Sequence, residues 1–214
     1  MATVEPIRSM AEIKRIEDLL FDLDTDRGRR MFVMFEAGIM LGMRIGDMIK
    51  LRVGDLRGQQ RLQFTPEKTD THGGSQRYRA KRLTLEIPPA LRRVVDEMCA
   101  GQPDSAWLLP SQRGGHITRQ RAYEDMQEIG RLAGIKTPIG CHTLRKTFGY
   151  HMYQRDHDVA FLQGWYGHSS PAVTLIYIGI AGDERRRIMD RTLYDDRGRF
   201  DWSAKREAVM RGAT

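Results

Sequence analysis

The sequence predicts a mainly α-helical fold with a small antiparallel β-sheet, which places it in the α+β class. Three observations support this: apolar residues recur at helical spacing along most of the 214 positions, capping residues and glycine stops divide that pattern into separate helices, and strand-like alternation is concentrated near residues 60 to 87. The length favours one well-packed domain with appendages over two full domains.

Ser9 followed by Glu12 forms a capping-box signal, and Ile13, Ile16, Leu19, Leu20 and Leu23 repeat at helical spacing, so a first helix is expected over about 10 to 23. RRMFVMFEAGIML reads as a second, apolar helix stopped by Gly42. A short helix carrying RIGDMIKL follows at once, which sets Arg44 at a helix junction. The period then changes: RLQFT and KRLTLEI alternate apolar and polar residues, predicting a sheet of two or three strands. Between them lies the turn region PEKTDTHGGSQRYRA. From Lys68 to Arg82 the chain carries five basic residues, Lys68, Arg77, Arg79, Lys81 and Arg82, against the single acid Asp70, so a hairpin here is a candidate for facing nucleic acid.

After Pro88 and Pro89, ALRRVVDEMCA predicts a helix, followed by a short AWLLP segment and the glycine-rich turn SQRGGH. Thr118 can cap the next helix, RQRAYEDMQEIGRLAG, which is expected to end near Gly134. The KTPIG linker leads to a helix containing HTLRKTFGYHMYQR, and two further short helices are expected in DVAFLQGWYG and SPAVTLIYIGI. Residues 1–182 are read as one catalytic domain and residues 183–214 as an appendage. In that tail, DERRRIMDRTLY puts Ile188, Met189 and Leu193 on an apolar stripe that either docks on another protomer or folds back onto its own core.

Hydrophobic residues at 40% and charged residues at 29% exclude wholesale disorder and allow a real core. Lys and Arg number 35 against 28 Asp and Glu, a net +7 that favours a polyanionic partner. Cys99 and Cys141 have neither zinc-finger spacing nor the density of a disulfide framework, which fits a reducing compartment. No apolar run approaches membrane-spanning length, and MATVEPIRSMAEIKR lacks the apolar centre of a signal peptide. The expected location is cytoplasmic.

Two groups of residues carry chemistry. His142 and Arg145 are three apart in one predicted helix and can address a common target, although the pattern taken alone reads first as a helix-start histidine and a surface arginine. In GHSSPAVTLIYIGI, His168 precedes a short helix and Tyr177 follows nine positions later amid Val173, Leu175 and Ile176. By itself Tyr177 reads as a core tyrosine with its hydroxyl at the edge.

Taken together, HTLRKTF, the 22 residues from Arg145 to GHSS, and the step from His168 to Tyr177 resemble the tyrosine recombinase (phage integrase) family in order and spacing. Upstream, GIMLGMRIGDMIKLRVGDL is similar to that family's first arginine motif, which makes Arg44 the first catalytic arginine and Asp47 its acidic neighbour. EKTD puts Lys68 where the family keeps a lysine in a β-hairpin turn. The resemblance covers about residues 30 to 180. It implies the family's catalytic-domain fold, that of DNA breaking-rejoining enzymes, and site-specific recombination through a 3′-phosphotyrosine intermediate, as in integration or excision of a mobile element.

The chemistry agrees. Phosphodiester transesterification needs a nucleophile, cationic donors for charge growing on the non-bridging oxygens, and an acid for the leaving oxygen. Tyr177 is the expected nucleophile. Arg44 and Arg145 offer planar forks matched to phosphate, His168 and His142 further hydrogen bonds, and Lys68 the proton for the departing 5′ oxygen. Lys81 is the rival to Lys68. Arg77, Arg79, Lys81, Arg82, Arg119 and Lys146 are expected to contact the DNA backbone. His151 and His157 read as surface or packing residues, while His72 and His116 sit in loops where phosphate contact is open.

No metal or other cofactor is expected, because the acids near these motifs are scattered. Relaxation of DNA in the manner of type IB topoisomerases, and non-catalytic DNA-binding regulation, are the alternatives. The expected partners are duplex DNA and further copies of the chain upon it. Members of the family usually carry a helical core-binding domain before the catalytic one, and only about 30 residues precede the matching region. An accessory protein is therefore a possible source of the missing half of the DNA clamp. Lys146 stands where many relatives have histidine.

Overall fold

A computed structural model describes residues 4–66 and 82–183. The chain divides into two compact units after Asp156. Helix α1 spans Met10–Phe21 with the Ser9 hydroxyl accepting from the Glu12 N–H, and it buries Ile13, Ile16 and Leu20. It stops short of the predicted residue 23, because the Leu23 and Thr25 amides turn back to the carbonyls of Leu20 and Leu23. Thr25 then caps α2, Asp26–Leu41, by accepting from the Gly28 N–H. This cap starts α2 earlier than its apolar run alone indicates.

Helix α2 is the hub of the first unit. It buries Met31, Phe32, Val33, Met34, Phe35, Ala37 and Leu41, which cover more than one face, as expected of a helix surrounded by others. It packs against α1, against α4, Pro89–Met98, and against α6, Cys141–Asp156. At the α2–α6 crossing, a Cβ on Gly38 would lie 2.5 Å from Leu144 Cδ1, so glycine is what allows this approach. Gly42 ends α2 in the left-handed region at φ 58°, and there a side chain would meet the Phe148 ring.

The short helix α3, Ile45–Met48, follows with Arg44 at its N-cap. Strands β1, Arg61–Phe64, and β2, Leu83–Glu86, form an antiparallel pair in which the buried Leu62 and Leu85 stand opposite each other. Residues 67–81, with Lys68, Arg77, Arg79 and Lys81, lie outside the described residues.

Helix α5, Arg119–Leu132, begins at the predicted Thr118 cap. Its Asp125 is fully buried and accepts from Arg27 Nε (3.1 Å) and Arg30 Nη2 (2.9 Å) of α2, with Arg121 Nε at 3.2 Å. This carboxylate ties α5 to α2 and so fixes where α5 begins.

In the second unit, α7, Val159–Tyr166, is capped by Asp158 and ends at Gly167 in the left-handed region. Helix α8, Pro171–Tyr177, starts with the Ser170 cap and proline at its first position, both favourable there. The two helices pack on each other, with Leu162, Tyr166 and Thr174 buried. Among the described residues the fold is therefore mostly helical with one two-stranded sheet, as predicted. The tail helix predicted after Gly182 falls almost wholly outside them.

Candidate active site

In the first unit, the turn from α2 into α3 and the start of α6 bring the predicted arginines together. Arg145 is buried, and its Nη1 donates to the Gly42 carbonyl at 2.5 Å, across a sequence separation of 103 residues. Gly42 exposes that carbonyl because its left-handed conformation turns the chain out of the helix. Arg44 follows two residues later, half-buried at the α3 N-cap.

Asp47, one turn into α3, is also buried. Burial pushes its carboxyl above the usual carboxylate range, opposed by the positive charges of Arg44, Arg145, Lys50 and Arg119. Three guanidinium groups thus act on one buried acid. The Arg119 side chain reaches this place by lying against Gly46, where a Cβ would fall 2.5 Å from Nη2. The Asp125 cluster described above sets α5 so that its first residue can do this.

His142 keeps an exposed edge at the start of α6. Partial burial of its ring, then the charges of Arg145, Lys146 and Arg44, hold its pKa below the usual histidine value. The imidazole is therefore neutral at pH 7, able to accept a proton at one nitrogen and donate from the other.

Lys146, expected on the DNA backbone, is buried at 8% exposure, and its Nζ donates to the Val4 carbonyl at 2.8 Å. Helical geometry explains this: Arg145 points toward α2, and the next residue, about 100° around the helix, turns to the N-terminal segment. Arg82 is exposed just before β2, and Arg119 is exposed overall. Lys68, Arg77, Arg79 and Lys81 lie outside the described residues.

The second unit presents a cluster of three rings. Tyr166, His168 and Tyr177 have centroid separations of 5.2 Å between the first two, 5.1 Å between His168 and Tyr177, and 5.3 Å between the tyrosines. His168 Nδ1 lies 3.0 Å from the Thr174 hydroxyl, and the Gln163 amide donates to its carbonyl. Tyr166 is 2% exposed, whereas Tyr177 is half-buried, so of these two only Tyr177 can reach an external reactant.

The other histidines fall elsewhere. His116 packs edge-on to Trp107 with Nδ1 2.7 Å from the Ile117 carbonyl, and His151 Nε2 lies 2.9 Å from the Ile7 carbonyl. His157 takes a positive φ of 53° just beyond α6. His72 lies outside the described residues. Among the described residues, no three His, Cys, Asp or Glu side chains gather as metal ligands would, and no helix is long and apolar enough to cross a membrane.

Sequence reasoning missed Thr174, the hydroxyl partner of His168, although its place one turn after Ser170 in the GHSS segment was a readable signal. It also missed Glu36 of α2. This carboxyl is 3% exposed, its Oε1 lacks a hydrogen-bond partner, and burial followed by repulsion from Glu17 pushes its pKa up to about 7.

The model of the phage integrase family matches residues 12–183. The chain belongs to that family, the tyrosine recombinases. It is 36% identical over 187 residues to the probable integrase/recombinase YoeC of Bacillus subtilis (strain 168), covering 87% of this chain and 95% of that protein. It is 28% identical over 162 residues to the tyrosine recombinase XerD of Pseudomonas putida, covering 75% of this chain and 53% of that one. Relative to XerD, then, this tyrosine recombinase chain spans about half the length. The crystal structure of XerA recombinase superposes with a TM-score of 0.63 at 20% identity, over 100% of this chain and 67% of that one, which shows the shared fold. Neither the topoisomerase alternative nor the regulatory one receives support from these relatives.

Proposed function

We propose that this tyrosine recombinase cleaves and rejoins duplex DNA at specific sites through Tyr177, serving integration or excision of a mobile element. The observation that carries the reading is that the buried Asp47 lies within the electrostatic reach of both Arg44 and Arg145, and that Arg145 is held by the Gly42 carbonyl before any phosphate arrives. Tyr177 is the nucleophile: its hydroxyl oxygen bonds to phosphorus, and the bond to the 5′ oxygen breaks. Arg44 and Arg145 hydrogen-bond the non-bridging oxygens as negative charge grows on them. Lys68 supplies the proton that leaves with the 5′ oxygen.

The neutral His142 takes up or returns the phenolic proton. His168 donates a further hydrogen bond to the phosphate, with Thr174 setting its ring orientation and tautomer. Rejoining reverses these steps with a 5′ hydroxyl as attacker, and because the phosphotyrosine keeps the bond energy, no nucleotide cofactor enters. Arg77, Arg79, Lys81, Arg82 and Arg119 hold the DNA backbone. Several copies act together on the DNA, assisted by an accessory protein.

The test is incubation with nicked suicide duplexes carrying candidate junction sequences. The wild type gives a covalent protein–DNA band on a denaturing gel. Tyr177→Phe, lacking one oxygen, gives none while folding and binding DNA normally. An adduct formed by the Phe variant would move the nucleophile to another residue.

A further inference from the structure

The segment before α1 lies along the side of α6 away from its Arg145 contact. Val4 sits over the start of α6, where a Cβ on Gly140 would be 3.4 Å from Val4 Cγ1. One turn on, Lys146 Nζ donates to the Val4 carbonyl at 2.8 Å. The Ile7 N–H donates to Thr147 Oγ1 at 2.9 Å, and His151 Nε2 lies 2.9 Å from the Ile7 carbonyl. Pro6 and Ile7 of this strap are buried, and Thr147 is buried at 1% exposure. The same helix holds His142 and Arg145 within its first turns. Arg145 is anchored on one side by the Gly42 carbonyl, and its neighbour Lys146 is anchored on another by Val4.

A helix held at one side only is free to rotate and slide. Anchors on two sides at consecutive residues fix both its rotation and its height. We propose that Lys146 is a positioning residue, the latch by which the segment 4–8 sets the rotation of α6 and hence the placement of Arg145 and His142 toward the phosphate. The idea rests on the catalytic reading above. It assigns a use to a basic residue that does not face DNA, in a place where a small displacement is expensive: about 1 Å at a reacting centre can lower a rate about 10²-fold.

The latch makes demands that a phosphate-binding lysine or a simple staple of the fold does not. Lys146→Met keeps the aliphatic stem and removes the donor, whereas Lys146→Arg keeps a charged donor of similar reach. In the full chain, single-turnover cleavage of the suicide duplex should fall about tenfold or more in the Met variant and recover largely in the Arg variant. DNA affinity and its dependence on salt should stay unchanged, since a lost phosphate contact would lower the salt slope by about one. Hydrogen exchange at the Ile7 amide should accelerate in the Met variant, as the strap loosens. Thr147→Val removes the acceptor of that amide from the same strap and should reproduce the rate loss, which provides the test if the Met variant does not fold.

A reduced salt slope with unchanged Ile7 exchange would make Lys146 a DNA contact and overturn the proposal. So would a Met variant that is less stable in urea yet cleaves at the wild-type rate per folded molecule. If wild type itself forms no adduct, the catalytic reading fails first. If wild type cleaves and both Lys146→Met and Thr147→Val match it, the latch alone is refuted.

Discussion

Glu36 offers a quantitative test of how the first unit is held together. Its carboxyl is buried on α2 with Oε1 unpartnered, and burial, then Glu17 of α1, raises its pKa from the ordinary 4.5 to about 7. The folded protein therefore binds a proton that the unfolded chain releases across this interval. Below the unfolded value both states are protonated and the full stability is present; as pH rises toward 7 stability is lost, and above 7 the loss is complete. At 1.36 kcal/mol for each tenfold step, the interval from 4.5 to about 7 corresponds to roughly 3 kcal/mol. Glu36→Gln keeps the shape and removes the titration. Measured by urea denaturation, the Gln variant should match wild type near pH 4.5 and exceed it by roughly 3 kcal/mol at pH 8, or roughly 6–12 °C in a thermal melt. Parallel stability profiles between pH 5 and pH 8, or a Gln variant weaker at pH 8, would mean that Glu36 finds a partner in solution and that the α1–α2 packing is not as described.

Arg44→Ala and Arg145→Ala should each reduce single-turnover cleavage about 10²-fold or more, the scale for losing a preorganised donor, with a smaller effect on DNA binding; cleavage within a few-fold of wild type would remove that arginine from the mechanism. Cleavage should persist in excess chelator, because the proposed charge stabilisation comes from side chains, and activity lost in EDTA and restored by added metal would contradict it. Truncation after Gly182 should leave a soluble protein that still nicks DNA but recombines poorly, if residues 183–214 act in assembly; an aggregating product would place them in the core instead.

Local signals made much of the fold legible. Ser9 and Thr118 cap the helices they were expected to cap, Gly42 stops α2, and the alternation in the two strand segments matches the buried pair Leu62 and Leu85. These features depend on residues within a few positions of one another. What was not legible depends on partners far along the chain. Lys146 looks like one more basic residue beside Arg145 until Val4, 142 positions earlier, is laid against it. Glu36 carries no local mark of burial, because residues 30–38 of α2 are all buried and a polar position among them has no exposed face to occupy. Asp125 reads as an ordinary helix acid until Arg27 and Arg30 arrive from α2. The arginine motifs were legible by family resemblance, but the inclusion of Arg119 in their electrostatic surroundings follows only from the packing of α5 on Gly46.

That packing bears on why a buried acid belongs in a site for anions. Gathering Arg44, Arg145 and Arg119 without a counter-charge would set three like charges against one another and favour side-chain conformations that point apart. Asp47 opposes this, and the cations around it offset part of its own burial cost. The arrangement still leaves an excess of positive charge. In the proposed mechanism, a phosphodiester entering it meets donors already oriented, and the negative charge that grows during transesterification is stabilised without reorganising them. Asp47→Asn tests the point directly: with the counter-charge gone, the arginines lose their fixed orientation, so the cleavage rate should fall while affinity for DNA holds or rises with the added net positive charge. Parallel losses in affinity and rate would instead indicate that Asp47 serves only to keep α3 folded.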